Sequence, residues 1–298
     1  MADVSAPAEN RDSLNGFLFA LSAYLLWGFL PLYMKALAHI TPAEVIAHRI
    51  LWSIPVAGLL LIILKRTDDL KKAIRNPKML GMAAVTASLV SFNWGIYVWA
   101  IGSGHALDTA LGYFINPLFS ILLGAIILKE KLKRTQIAAL ALVVIAVVIL
   151  TVEAGRLPVV ALALTFSWGF YAFFRKTLPI GPNQGFLLEV LLLSPIALGY
   201  LVYLNLEGGG HFLMGNTTDT ILLASAGLVT AVPLILYANG AKLLKLSTIG
   251  IMQYIAPSMI FITAVFVFNE PFSVAKAVAF PLIWSALVIY TLPMLRQR

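Results

Sequence analysis

Cysteine is absent from this chain of 298 residues, so neither a disulfide nor a thiolate metal site can form. Charge is scarce as well: Asp, Glu, Lys and Arg make up 11% of the residues, where a soluble domain carries roughly 25%. With 60% hydrophobic residues and a mean hydropathy of +0.92, the chain lacks the polar surface to cover a water-soluble core, and it reads as an integral membrane protein. Histidine is sparse. His39, His48, His105 and His211 include no i, i+4 pair, and His-Glu-x-x-His, Gly-x-Ser-x-Gly and an aspartate cluster are all missing. The inventory therefore predicts no enzyme, no metal and no cofactor. The net charge of +8 does not mark a nucleic-acid binder, because the cations lie between apolar runs, where membrane proteins carry them. Residues 1–15 hold a single cation, Arg11, and no small-residue cleavage site follows, so the first apolar segment reads as a retained helix.

What is present is a series of ten apolar segments, at 16–37, 43–64, 78–101, 105–128, 135–152, 157–177, 184–204, 218–241, 247–269 and 273–294. At about 1.5 Å per residue each approaches the thickness of a bilayer. Two connections are longer than the rest: 65–77 is densely charged, and 205–217 is Gly-rich without Lys or Arg. Placing both termini in the cytoplasm puts seventeen of the 21 cations inside; only Lys35, Arg49, Arg156 and Lys276 fall in the outer half. The positive-inside rule selects that orientation.

The segments repeat. Pro117 lies in the fourth, which is followed by Glu130; Pro257 lies in the ninth, which is followed by Glu270, both at an offset of 140. Trp27-Gly28-Phe29 and Lys35 return as Trp168-Gly169-Phe170 and Lys176 at 141, and Tyr97 returns as Tyr237 at 140. Five segments per half is an odd number, so the second half enters from the opposite face. This predicts two inverted repeats related by a pseudo-two-fold axis in the membrane plane, spanning 16–152 and 157–294, between a cytoplasmic tail at 1–15 and a cytoplasmic end at 295–298. Proline-interrupted helices at matching positions in two such halves point to a transporter's central site. A proline inside a helix removes one backbone bond and kinks it.

More specific strings carry a family likeness. They are His48-Arg49-Ile50-Leu51-Trp52-Ser53, Leu111-Gly112-Tyr113-Phe114-Ile115-Asn116-Pro117, and Leu246-Ser247-Thr248 followed by Gln253-Tyr254-Ile255 and Pro257. With them the chain, from about Gly16 to Leu292, resembles the RarD branch of the EamA-type drug/metabolite transporter (DMT) superfamily. The resemblance implies an all-α polytopic protein of the bacterial inner membrane. It would be an exporter or facilitator with a central cavity lined from both halves, its fifth and tenth helices serving as scaffold. Asn116 is matched by Ala256, and Tyr113 by Gln253, so such a cavity would not be chemically symmetric.

Polar and ionisable groups inside apolar runs require a reason. Trp27, Asn93, Trp94, Tyr97, Tyr113, Asn116, Trp168, Tyr171, Tyr237, Gln253 and Tyr254 are the expected lining of a mid-membrane cavity, because they combine amides with aromatics at i, i+3 or i+4 spacing on repeat-matched segments. Such surfaces suit an amphipathic or cationic solute; the alternative is that they only pack. The ionisable candidates are His48, Arg49, Asp108 and Glu189. Arg49 could hold an anionic group or pair with Glu44, and Asp108 could cap its helix. Glu189 matches His48 at an offset of 141, which would suit proton coupling; alternatively it pairs with Arg175 or Lys176. The reading is a secondary active transporter for a small amphipathic metabolite or drug, with an uncoupled facilitator or channel as the alternative. Membrane lipids, the solute and protons are its expected partners, and a homodimer is compatible with the sequence.

Overall fold

The computed structural model describes residues 13–65, 67–127, 132, 134–177, 179–244 and 252–296. Every regular element among them is helical: α1 (Leu14–Ala36), α2 (Pro42–Ile63), α3 (Asp68–Ile74), α4 (Pro77–Gly102), α5 (Ala106–Ile127), α6 (Arg134–Ala154), α7 (Val159–Thr177), α8 (Pro182–Leu206), α9 (Thr217–Lys242), α10 (Ile255–Ile262, continued by a π turn over Thr263–Val267) and α11 (Val274–Arg296). Helix starts are written into the sequence. Ser13 accepts from Gly16 N at 3.0 Å, Asn76 from Lys78 N at 3.0 Å and Asn216 from Thr218 N at 2.9 Å, while Pro42, Pro77 and Pro182 occupy first turns, where a missing N–H costs nothing.

Among the described residues seven helices are long and apolar enough to cross a membrane, and three shorter apolar ones, Val159–Arg175, Ile255–Val267 and Val274–Ile289, accompany them. Their outward faces carry large apolar side chains such as Phe29, Leu59, Phe92, Ile196 and Phe266, as a polytopic membrane protein requires. α3 was not anticipated in the charged connection. It forms because acidic Asp68 opens it and Lys71 and Lys72 close it, complementing the helix dipole, and because Ala73 is buried under α4 and α8.

The packing brings six helices into two similar corners of three. α1 lies along α9 and α10, and α7 lies along α4 and α5. α2 packs on α8 and α9, α5 meets α10, and α6 pairs with α11, the two reaching the remainder mainly through α5. Gly28 and Gly169 explain how close these corners are. A Cβ on Gly28 would stand 2.4 Å from Met259 Sδ of α10, and one on Gly169 2.3 Å from Phe119 Cδ1 of α5. The two glycines of the Trp-Gly-Phe strings therefore serve one purpose: each lets its helix approach a proline-bearing neighbour.

The two proline helices differ in detail. Pro117 sits inside an α5 that runs on through it. Pro257 sits in the first turn of α10, and the chain at Gln253 and Tyr254 is a turn, not helix. The proline ring clashes with the carbonyl four residues back, which is that of Gln253, so the break falls there. At its other end α10 widens into the π turn, with Phe268 N bonding Thr263 O at 2.9 Å. That turn delivers Glu270 to the start of α5, where its carboxylate accepts from Ala106 N at 2.6 Å and Leu107 N at 2.8 Å. The matching Glu130, and the Leu246-Ser247-Thr248 string, lie outside the described residues.

Candidate functional site

A cavity of about 560 Å³ lies between α1, α2, α4, α5, α7, α8, α9 and α10. Each helix contributes the face dictated by its period. Asn93, Trp94 and Tyr97 come from α4 at i, i+1, i+4; Trp168, Tyr171 and Arg175 from α7 at i, i+3, i+7; Gln253, Ala256, Pro257 and Ile260 from the start of α10 at i, i+3, i+4, i+7. Ten of the eleven residues expected to line a cavity line this one: Trp27, Asn93, Trp94, Tyr97, Tyr113, Asn116, Trp168, Tyr171, Tyr237 and Gln253. Tyr254 does not, because it lies one step around from Gln253, off that stripe.

The walls are mostly aromatic. Trp27 touches Tyr24 and Tyr237 with ring centroids 5.6 Å away in both cases, and Trp168 touches Tyr171 at 5.3 Å and Tyr113 at 6.5 Å. Polar groups are few and oriented. Asn93 Nδ2 donates to Ser167 Oγ at 2.9 Å and Leu164 O at 3.2 Å, while its Oδ1 accepts from Tyr113 OH at 3.3 Å. Asn93 is thus clamped between α5 and α7. Tyr97 OH and Asn116 Oδ1 are buried without a hydrogen-bond partner.

The lining reaches Ile180 in the α7–α8 connection and Asn183 in the first turn of α8, the same end of the bundle where Ser13 N bonds Leu243 O. Among the described residues no connection at the other end contributes to it. That far end is tied across helices instead. Glu44 accepts from His211 N at 2.7 Å and faces His211 Nδ1 at 2.8 Å; His39 Nε2 meets Asp219 Oδ1 at 3.0 Å; Tyr33 OH donates to Leu222 O.

The ionisable candidates separate into distinct settings. Arg49 lines the cavity and does not pair with Glu44, which is engaged by His211. Its Nε donates to Thr230 Oγ1 at 2.9 Å, its guanidinium carbon stands 4.7 Å from the Trp94 ring centre, and Nη1 has no hydrogen-bond partner. Glu189 on α8 forms an ion pair with Arg175 Nε at 3.2 Å and accepts from Thr86 Oγ1 at 2.7 Å and Tyr171 OH at 3.2 Å. The alternative partner, Lys176, has its side chain outside the described residues. His48 accepts from Trp52 Nε1 at 3.2 Å and packs on Phe212 at 4.8 Å, away from the cavity. Asp108 meets His105 Nδ1 at 3.3 Å in the first turn of α5, also outside it.

Comparison with known proteins fits this geometry. Residues 14–152 match the EamA-like transporter family. An uncharacterized transporter of Vibrio cholerae is 40% identical over 283 residues, covering 95% of this chain and 94% of that one. Protein RarD of Streptomyces exfoliatus is 39% identical over 289 residues, covering 97% and 91%. The chain belongs to the EamA-like transporter family, among its RarD-like members. A solved crystal structure superimposes with a TM-score of 0.61 over 95% of this chain and 98% of its own, at 19% identity, which establishes likeness of fold alone.

For this RarD-like transporter, sequence reading missed part of the cavity wall. Asn183, Phe186 and Thr230 line it, yet their counterparts at an offset of 140 or 141 are apolar, so the repeat gave no signal. Tyr24, three positions before Trp27 on α1, lines the cavity as well. Arg175 appeared as a partner for Glu189, and it both pairs there and lines the cavity.

Proposed function

We propose that the chain is a secondary active transporter that moves a small amphipathic metabolite or drug across the cytoplasmic membrane, outward, by alternating access. The single observation that carries this reading is a mid-bundle cavity that, among the described residues, reaches the end holding Ile180 and Asn183 and no connection at the opposite end, which cross-helix bonds tie. A site reachable from one side at a time is what a carrier requires and a channel does not. Ten spans in two inverted five-helix repeats belong to the same proposal. Exchanging the halves maps the α1–α9 contact onto α7–α4, the α1–α10 contact onto α7–α5, and leaves α2–α8, α5–α10 and α6–α11 in place, which supports the two-fold. The cation distribution supports a cytoplasmic placement of both termini and of the end the cavity reaches.

Two measurements test it. Cysteines placed at Ser13 and Gly209 of this cysteine-free chain should label from opposite faces of the membrane; labelling of both from one face would sink the topology. In proteoliposomes, solute flux should saturate and show counterflow. Flux that neither saturates nor exchanges would replace the carrier with a channel.

A further inference from the structure

The cavity carries a positive charge that no described carboxylate offsets. Arg49 is 3% exposed, lines the cavity, and has a buried Nη1 without a hydrogen-bond partner. A buried cation normally keeps a carboxylate beside it, because desolvation is otherwise uncompensated. Here the described buried carboxylates are committed elsewhere. Glu44 faces His211, Glu189 faces Arg175, Asp219 faces His39, and Glu270 caps α5. The other cavity cation, Arg175, is offset by Glu189, so among the described residues the cavity charge without a carboxylate beside it is that of Arg49. Around it stand the face of Trp94 and the phenols of Tyr97 and Tyr113, and Tyr97 OH is also unpartnered. A guanidinium and a phenol in one cavity wall, with no described carboxylate beside them, form a donor set that recognises an oxyanion. The remaining walls, Trp27, Trp168 and Tyr237 among them, are flat and apolar.

We propose that the solute is an amphipathic organic anion, a carboxylate whose head group pairs with Arg49 and Tyr97 and whose flat apolar body lies among the aromatic walls. The proposal rests on the transporter reading and narrows it: a cationic amphiphile, though suited to the aromatics, would be repelled by Arg49. The solute would supply the missing counterion, so the loaded site would be the better compensated one.

The test uses the full chain, purified in nanodiscs, and three probes that share one ring system: indole-3-acetate, its neutral amide and the cation tryptamine. Indole-3-acetate should raise the thermal midpoint of the wild-type protein and bind at least tenfold more tightly than the amide or the amine. Arg49→Gln should abolish that discrimination, Arg49→Lys should keep part of it, and Tyr97→Phe should weaken only the acetate. Equal binding of acetate and amide, tighter binding of tryptamine, or no stabilisation by the acetate at millimolar concentration overturns the proposal on wild-type protein alone, whether or not the Arg49 variants fold. Counterflow with the same probes separates this failure from that of the transporter reading. Acetate binding without exchange rejects the carrier and keeps the anion site. Exchange of amide or amine that Arg49→Gln leaves unchanged keeps the carrier and rejects the anion site.

Discussion

At the scale of single residues, the site is decided by which side chains find partners within the protein and which do not. Asn93 is fully buried with both ends of its amide bonded, so it holds α4, α5 and α7 in register around the cavity. Replacing it with Leu would leave Tyr113 OH without that partner, which costs about 1–3 kcal/mol, while Ser167 Oγ keeps its bond to Ala163 O. Gly28 and Gly169 act by having no side chain. Alanine at Gly169 would drive Cβ into the rigid ring of Phe119, and alanine at Gly28 would press on both Sδ and Cβ of Met259. Each substitution is expected to destabilise by about 1–3 kcal/mol through overpacking. Gly169→Ala should be the worse, because a phenyl ring has fewer ways to yield than a thioether. Thermal midpoints of the two variants check the order, and Phe119→Leu should recover part of the Gly169→Ala loss.

At the scale of elements, the ends of helices were readable and the ties between them were not. The apolar segment 43–64 became Pro42–Ile63, and 184–204 became Pro182–Leu206, since the capping threonine and the first-turn prolines are local signals. Seven residues of α3 were missed because a helix that short leaves no apolar run to find. The pairing of Glu44 with His211 spans 167 positions and carries no local signature, so Arg49 was offered a partner it does not have. For the site, the repeat revealed Trp27 with Trp168 and Tyr97 with Tyr237, whose matches are identical residues, and hid Thr230 and Phe186, whose matches are not. The Glu270 tie yields a prediction at this scale. Its carboxylate satisfies two N–H groups at the start of α5 and adds negative charge where the helix dipole is positive. Glu270→Ala should lower stability by about 1–2 kcal/mol as a lost cap. Glu270→Gln, which keeps an acceptor oxygen, should lose less. Hydrogen exchange should rise at Ala106 and Leu107 first; exchange confined to other helices would dissociate the cap from α5.

At the scale of the whole molecule, the question is what opens one end and closes the other. Glu189 lies where α4, α7 and α8 meet, held by Thr86, Tyr171 and Arg175. Arg175 is also part of the cavity wall, at the end where Ile180 and Asn183 line it. A proton delivered to Glu189 would remove the negative charge that holds Arg175, so α7 would be freed from α8 at the end the cavity reaches. Local protonation would then become a change in access, which is the form a proton-driven exporter needs. The same geometry as a purely structural pair would hold the three helices together and nothing more. The two roles separate in substitution. Removing one partner of a buried pair costs about 3–5 kcal/mol, so Glu189→Ala should unfold more readily in either case. Glu189→Gln keeps bonds to Thr86 and Tyr171 and mimics the protonated state, so it should assemble. In proteoliposomes Glu189→Gln should retain solute counterflow and lose accumulation driven by an imposed pH difference. Unchanged pH-driven accumulation would take Glu189 out of the coupling mechanism and leave it the structural role.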